Sequence, residues 1–62
     1  MNERRYWWEA FTSGVKARRG ILRVCKAQGH RFTIVAEVPN VDGMAEARAE
    51  IMVRALNAQK EV

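Results

Sequence analysis

Two side chains in this sequence, Cys25 and His30, have the chemistry for nucleophilic catalysis or metal binding. They are the only cysteine and the only histidine among the 62 residues. A cysteine nucleophile works with a base that is itself oriented by a third group, and no such third residue is evident. A zinc ion usually takes three or four protein ligands, so the pair is also too small for a metal site. We therefore interpret His30 as an exposed residue beside a turn and Cys25 as an incidental thiol.

The carboxylates and glycines do not form a catalytic or phosphate-binding pattern either. Glu46 and Glu50 are four residues apart, which on a helix usually means a solvated acidic surface. A catalytic carboxylate pair needs a cleft, and this chain is too short to build one. The four glycines lack the spacing of a phosphate-binding loop. We expect no catalytic residues, no metal and no cofactor, and we interpret the chain as a non-enzymatic protein.

Positive charge is concentrated in the first half of the chain. There are 11 lysines and arginines against 7 aspartates and glutamates, a formal net charge of +4. Residues 1–31 hold 8 cations and 2 anions, whereas residues 32–62 hold 3 cations and 5 anions. Most of the cations are arginines, whose planar fork suits phosphate and carboxylate groups. The predicted nucleic-acid contacts are the basic residues of the first half: Arg4, Arg5, Lys16, Arg18, Arg19, Arg23, Lys26 and Arg31.

Length and composition restrict the class of protein. A chain of 62 residues forms one small domain over residues 1–62, with a marginal core. No apolar run approaches the roughly 18 residues of a membrane span, and Glu3, Arg4 and Arg5 do not resemble the start of a signal peptide. A single cysteine gives no intrachain disulfide, which favours a reducing compartment. We expect a cytoplasmic protein without a membrane partner.

The clearest secondary-structure signal is a helix near the C-terminus. Pro39 ends the preceding element, and Asn40 or Asp42 can cap the helix that follows. Helical spacing predicts a buried stripe of Val41, Ala45, Ala49, Met52 and Leu56, with Val53 beside it. A second apolar shoulder around Arg48 is predicted to be a homodimer seam or a partner site; it contains Met44, Ala47, Ile51 and Ala55.

Residues 20–39 predict a β-hairpin with its turn at Gly29, because strand-forming residues flank this glycine on both sides. The loop of this hairpin can have two residues, Gln28 and Gly29, or three, with Ala27 added. The two loop lengths give different registers, and the register that better separates apolar from polar side chains is favoured. The three-residue loop separates them better and pairs Val24 with Phe32. The predicted core face is Leu22, Val24, Phe32, Ile34, Ala36 and Val38. The predicted outer face is Ile21, Arg23, Cys25, Arg31, Thr33, Val35 and Glu37.

The N-terminal segment is compatible with two structures. Aromatic residues at positions 6–8 and 11 favour a strand that ends at Ser13 and Gly14. In the alternative, Asn2 caps a helix over residues 2–13. The strand is the preferred interpretation, and residues 15–19 then form a basic loop. On a strand, Trp7 and Trp8 point to opposite faces, so that one joins the core and the other lies on the outer face.

Together these elements predict an α+β domain of order β-β-β-α, a three-stranded antiparallel sheet packed by one C-terminal helix. The alternative is α-β-β-α, with residues 2–13 helical. The preferred element order resembles that of AP2-type and recombinase arm-binding DNA modules, which read the major groove through an open sheet. The resemblance is confined to element order, because no residue motif of either family is present. A likeness of fold alone is not evidence of function.

Two functions from different classes are therefore predicted. The first is a module that binds nucleic acid, in particular double-stranded DNA, through its basic loop and sheet face. The second is a small protein-binding factor of the phage or mobile-element accessory or inhibitor type, which either forms a homodimer or blocks a host protein. Its predicted interface residues are Trp7, Trp8, Met44, Arg48, Ile51 and Ala55. Basic residues that converge on one face with an aromatic favour the first function, and basic residues scattered around an apolar patch favour the second.

Overall fold

A computed structural model of the protein describes residues 5–59. Three antiparallel strands, β1 (Tyr6–Ala10), β2 (Leu22–Gln28) and β3 (Arg31–Val38), form one sheet in this order, and a helix follows them. This confirms the predicted α+β fold of order β-β-β-α. The alternative, in which residues 2–13 are helical, is wrong for residues 5–13, the part of that segment that the structure describes. A short helix, α1 (Gly14–Arg18), is present where a basic loop was predicted. The elements are β1 Tyr6–Ala10, α1 Gly14–Arg18, β2 Leu22–Gln28, β3 Arg31–Val38 and α2 Ala45–Ala58.

The β2–β3 hairpin has a different loop from the one predicted. Gln28 pairs with Arg31, so the loop consists of Gly29 and His30, and the predicted three-residue loop is wrong. Gly29 has a φ of +61°, and among residues 5–59 no residue other than glycine has a positive φ. A positive φ at the first loop position alone is the arrangement of a type II′ turn, whose twist matches that of the flanking strands. Gly29 thus marks the turn as predicted, but it begins the loop and does not end it.

An extra residue in the middle of β3 changes which way its side chains point. Val24 pairs with Ala36, yet the next residue, Cys25, pairs with Ile34. Val35 is left without a partner on β2, which makes it a β-bulge. A bulge shifts the alternation of side chains by one position. The side chains of β3 before Val35 therefore point to the side of the sheet opposite to the one that regular alternation along the whole strand would give.

The bulge determines which residues of β3 belong to the core. Leu22, Val24, Ala36 and Val38 lie on the helix side of the sheet, and their predicted positions in the core are confirmed. Phe32 and Ile34 were predicted on the same side, but the register places them on the opposite one, where they are 47% and 40% exposed. Their predicted core positions are wrong, because the prediction extended strict alternation through residue 35.

Helix α2 covers the helix side of the sheet. Ala45, Ala49 and Val53 are buried against the strands, and Met52 and Leu56 pack around them. The small alanine side chains let the helix approach the sheet closely. The predicted stripe is confirmed from Ala45 onward, but Val41 precedes the helix and is 77% exposed.

Two polar contacts hold the ends of α2. At its start, the backbone N–H of Met44 donates to the Asp42 carboxylate over 3.1 Å, so Asp42 acts on the first turn although the helix begins at Ala45. At its other end, the Asn57 amide donates to the Tyr6 carbonyl and accepts from the Tyr6 N–H, at 3.1 and 3.0 Å. Asn57 thereby occupies part of the outer edge of β1. Neither helix of the described chain is long and apolar enough to cross a membrane.

Candidate binding surface

The side of the sheet that faces away from α2 is built from three rows of side chains, and we call it the open face. The residues of each row are neighbours in the register of β1 with β2 and of β2 with β3. Arg5 precedes β1, but the Ala27 N–H donates to its carbonyl over 2.8 Å, so Arg5 lies beside Ala27. The tip row, nearest the hairpin loop, is Arg5, Ala27 and Phe32. The middle row is Trp7, Cys25 and Ile34. The base row is Glu9, Arg23 and Glu37.

Phe32 and Ala27 of the tip row form an apolar patch with the middle row. The rings of Trp7 and Phe32 are 5.9 Å apart between centroids and inclined by 60°, a favourable tilted geometry. Cys25 lies between Trp7 and Ile34 and is completely buried. The prediction that Cys25 lies on the side away from the helix is confirmed, but the side chains around it exclude solvent from the thiol. Burial raises the pKa of the Cys25 thiol, and the Glu9 carboxylate raises it further.

The base row is charged but internally paired. Arg23 donates through Nε and Nη2 to the Glu9 carboxylate, the Nε contact being 2.8 Å, and the Trp7 indole N–H donates to Glu9 over 3.0 Å. These hydrogen bonds, that from Arg23 above all, lower the pKa of Glu9. The Arg23 guanidinium also lies 5.0 Å from the ring centre of Phe11 and 5.5 Å from that of Phe32. Arg23 is therefore held by the fold and its charge is neutralised.

Helix α1 extends this pairing at the same end of the sheet. The Lys16 ammonium is 2.5 Å from the Glu37 carboxylate and 5.1 Å from the ring centre of Phe11. Both carboxylates of the base row thus have a cationic partner. The end of the open face next to α1 is polar and its charges are paired, whereas the end next to the hairpin presents the half-exposed ring of Phe32.

The residues predicted to contact nucleic acid do not gather on one surface. Arg23 and Lys16 are ion-paired on the open face, and Arg18 and Arg19 are exposed at the end of α1. Arg5 is exposed in the tip row, and Arg4 lies outside the described residues.

Lys26 and Arg31 lie on the helix side of the sheet, because the register pairs them with residues of that side. The Lys26 ammonium is 6.0 Å from the ring centre of Tyr6. The predicted common face of Arg23 and Arg31 is therefore wrong, and Thr33, predicted on that face, lies on the helix side with Arg31. The bulge is again the reason, since it separates Arg23 and Arg31 by one extra position.

The predicted interface residues fall into two places. Trp7 is on the open face, whereas Trp8 points to the helix side and packs against the core. The helix shoulder is on the outside of α2, where Met44 and Ile51 are 52% and 68% exposed. Arg48 on this shoulder donates to Asp42 over 2.8 Å, and Ala55 is exposed.

Sequence reasoning missed the roles of Phe32, Ile34, Phe11 and Glu9 in this surface. The positions of Phe32 and Ile34 depend on the bulge, which the sequence does not predict. Phe11 and Glu9 contact partners that are distant in the sequence and become neighbours only through the strand register. Among residues 5–59, no group of three or more metal-ligating side chains is present. Comparison of the chain with known protein families, characterised proteins and solved structures gave no significant match.

Proposed function

We propose that this chain is a small non-enzymatic module that binds a protein partner through the open face of its sheet. The observation that carries the proposal is the contiguous patch of Trp7, Phe32 and Ile34, which leaves two large apolar side chains at least 40% exposed beside an indole. Exposed apolar patches rimmed by polar groups are typical of interaction sites. Tryptophan and other aromatic residues often supply most of the energy of a protein interface.

The paired charges around the patch favour a protein over a nucleic acid as its ligand. A phosphate that approached Arg23 or Lys16 would have to displace the Glu9 or Glu37 carboxylate. Those carboxylates would also repel the phosphate, which carries the same charge sign. An apolar protein surface can cover the patch and leave both ion pairs intact at the rim.

Selection from a displayed library of random peptides tests this proposal. Three baits are compared: the wild type, the Phe32→Ser/Ile34→Ser variant, and Ile51→Ser as a matched control on the helix shoulder. We expect peptides enriched on the wild type to bind the control within about twofold and to lose at least tenfold affinity for the Phe32→Ser/Ile34→Ser variant. Circular dichroism checks that all baits are folded. Enriched peptides that depend on Ile51, or that ignore Phe32 and Ile34, would contradict the proposal.

Binding of duplex DNA is the second candidate function, and one observation favours it. Arg18, Arg19, Lys26 and Arg31 have no carboxylate partner among residues 5–59. Cations of this kind bind phosphate with a strong dependence on salt. Because Arg18 and Arg19 lie at the α1 end of the sheet and Lys26 and Arg31 near the hairpin, we expect weak binding without base preference.

Fluorescence anisotropy with a labelled duplex at several salt concentrations tests the second candidate. The Arg18→Ala/Arg19→Ala variant should weaken binding to every sequence alike. It should also flatten the plot of log affinity against log salt by about one unit for each phosphate that the variant no longer binds. Arg54→Ala, on the exposed side of α2, is the control. Wild-type protein that binds neither duplex nor single strands at low salt would rule this function out.

A further inference from the structure

We infer that the partner binds as an extended strand that adds to the outer edge of β3, so that a fourth strand continues the sheet. The added strand lies beside Phe32 and Ile34. It places apolar side chains on the open face and an acidic side chain next to Arg31. This inference rests on the proposed function, since it names the form in which a protein partner meets the apolar patch.

Two residues of β3 direct their main-chain N–H and C=O groups away from the sheet. In an antiparallel sheet, successive residues of a strand point these groups to opposite neighbouring strands. The Ala27 N–H donates to the chain just before β1, so the main chain of the preceding residue, Lys26, points to β3. Lys26 pairs with Thr33, whose main chain therefore points back to β2. The residues on either side of Thr33, which are Phe32 and Ile34, consequently point outward.

The opposite edge of the sheet follows the same rule, but it is already occupied. Tyr6 pairs with Lys26, and since the main chain of Lys26 points to β3, that of Tyr6 points outward. Both outward groups of Tyr6 are hydrogen-bonded to the Asn57 amide, at 3.0 and 3.1 Å. Within residues 5–59, no side chain makes such contacts to the main chain of Phe32 or Ile34. One edge is thus closed and the other can accept a strand.

The free main-chain groups belong to the same two residues whose apolar side chains are exposed on the open face. A partner helix could cover the side chains of Phe32 and Ile34, but its main chain is hydrogen-bonded internally and cannot pair with the edge. An extended strand satisfies both features. Its main chain pairs with the edge, and every second side chain falls on the open face beside Phe32 and Ile34.

The bulge limits the length of the added strand. Residues 31–34 pair regularly with β2, and the irregular pairing begins after Ile34. A bulge is one way in which proteins protect an edge from strand addition, so the edge available here extends only from the hairpin to Ile34. A stretch this short makes few main-chain hydrogen bonds, and each contributes modestly. Apolar side chains of the partner must therefore supply much of the affinity.

The charge along this edge specifies the polar side chains of the partner. The remaining side chains of the added strand fall on the helix side of the sheet, next to Arg31 and Thr33. Arg31 is exposed and has no carboxylate partner among residues 5–59. An acidic side chain beside Arg31 forms a favourable cross-strand pair. The partner segment should therefore alternate apolar residues with polar ones, of which one is acidic.

Amide hydrogen exchange followed by NMR tests the inference on the main chain itself. The probe is the peptide that binds the wild type most tightly in the selection described above. In the free protein the amides of Phe32 and Ile34 should exchange rapidly, because no strand protects them. Saturation with the peptide should slow their exchange at least about tenfold. The amide of Val41, an exposed residue before α2, serves as the control and should change less than about twofold.

N-methylation of the same peptide, one residue at a time, supplies the matched set of probes. At every second position of the bound stretch the methyl group removes an N–H that pairs with β3, and we expect at least about tenfold weaker binding. At the positions between them the N–H points away from β3, and the loss should be less than about threefold. Arg31→Glu should weaken binding at least about fivefold. Arg54→Glu changes the net charge equally but lies on α2, and it should weaken binding less than about twofold.

The other outcomes separate this inference from the proposed function. If the amides of Phe32 and Ile34 stay unprotected at saturation, or if the effect of N-methylation has no two-residue period, the peptide does not add as a strand. The inference then fails, and the proposed function stands because the peptide still depends on the side chains of Phe32 and Ile34. Equal losses for Arg31→Glu and Arg54→Glu overturn the acidic contact.

Protection of the two amides that grows with protein concentration alone means that a second copy occupies the edge, which overturns the inferred partner. If the selection yields no peptide that depends on Phe32 and Ile34, the proposed function and the inference fail together.

Discussion

Truncation of Val24 and of Phe32 to alanine distinguishes the two sides of the sheet by their effect on stability. Val24 is fully buried between the sheet and α2, and Val24→Ala removes two carbon atoms from this core. At about 0.8 kcal/mol per buried methylene the transfer loss is roughly 1.6 kcal/mol. The small cavity left behind adds about 1 kcal/mol. We expect the free energy of unfolding to fall by about 2.5 kcal/mol in total.

Phe32→Ala removes a much larger side chain but should cost less. Full burial of a large apolar side chain contributes about 1.5–3 kcal/mol. Because the Phe32 ring is about half exposed, its truncation should lower the free energy of unfolding by roughly half of this, or about 1 kcal/mol. The open face leaves no closed cavity when the ring is removed. A chain of this length has a total stability of only about 3–9 kcal/mol, so both losses are measurable.

Urea denaturation of both variants measures these losses. The protein concentration is kept low enough for the wild type to sediment as a monomer, because association through the open face would add stability that Phe32→Ala also removes. The slope of the unfolding transition should stay unchanged in both variants. A larger loss for Phe32→Ala than for Val24→Ala would show that the open face contains the true core, and that the register across Val35 is wrong.

Three further outcomes are expected from single sites. Glu9→Gln should lower the denaturation midpoint slightly at neutral pH, and this difference from the wild type should disappear as pH falls through the lowered pKa of Glu9, since the protonated acid no longer pairs with Arg23. A difference in midpoint that persists in acid would contradict this. The Cys25 thiol should react slowly with a disulfide reagent in the native protein and quickly in urea, because burial raises its pKa and blocks access; fast native labelling would show an open thiol. Gly29→Ala should destabilise the hairpin by about 1 kcal/mol through its φ of +61°, although nothing within 4 Å would clash, and Gly29→Asn should cost less in the same urea assay; equal stability of all three would refute the turn assignment.

Local patterns in the sequence determined most of the element order. The spacing of Ala45, Ala49 and Val53 predicts the buried side of α2, because the helical period is a local property of the chain. The aromatic run at residues 6–8 predicts β1, and alternation assigns Trp7 and Trp8 to opposite faces. Gly29 marks the hairpin turn for the same local reason, since only glycine adopts a positive φ without strain.

The composition of the open face was decided by tertiary structure. Alternation relates neighbouring side chains only while a strand is regular, and the unpaired Val35 exists only because β2 and β3 pair as they do. That one residue moves Phe32 and Ile34 out of the core and separates Arg23 from Arg31.

The pairing of charge was likewise decided by the fold. Glu9 and Arg23 are 14 residues apart, and Lys16 and Glu37 are 21 apart, so strand register and the position of α1 bring each pair together. Counting charges along the chain identifies a basic half, but it cannot assign partners across that distance. Which arginines are available to a ligand therefore depends on the packed sheet, because a cation that a carboxylate already holds no longer attracts an anion in the same way.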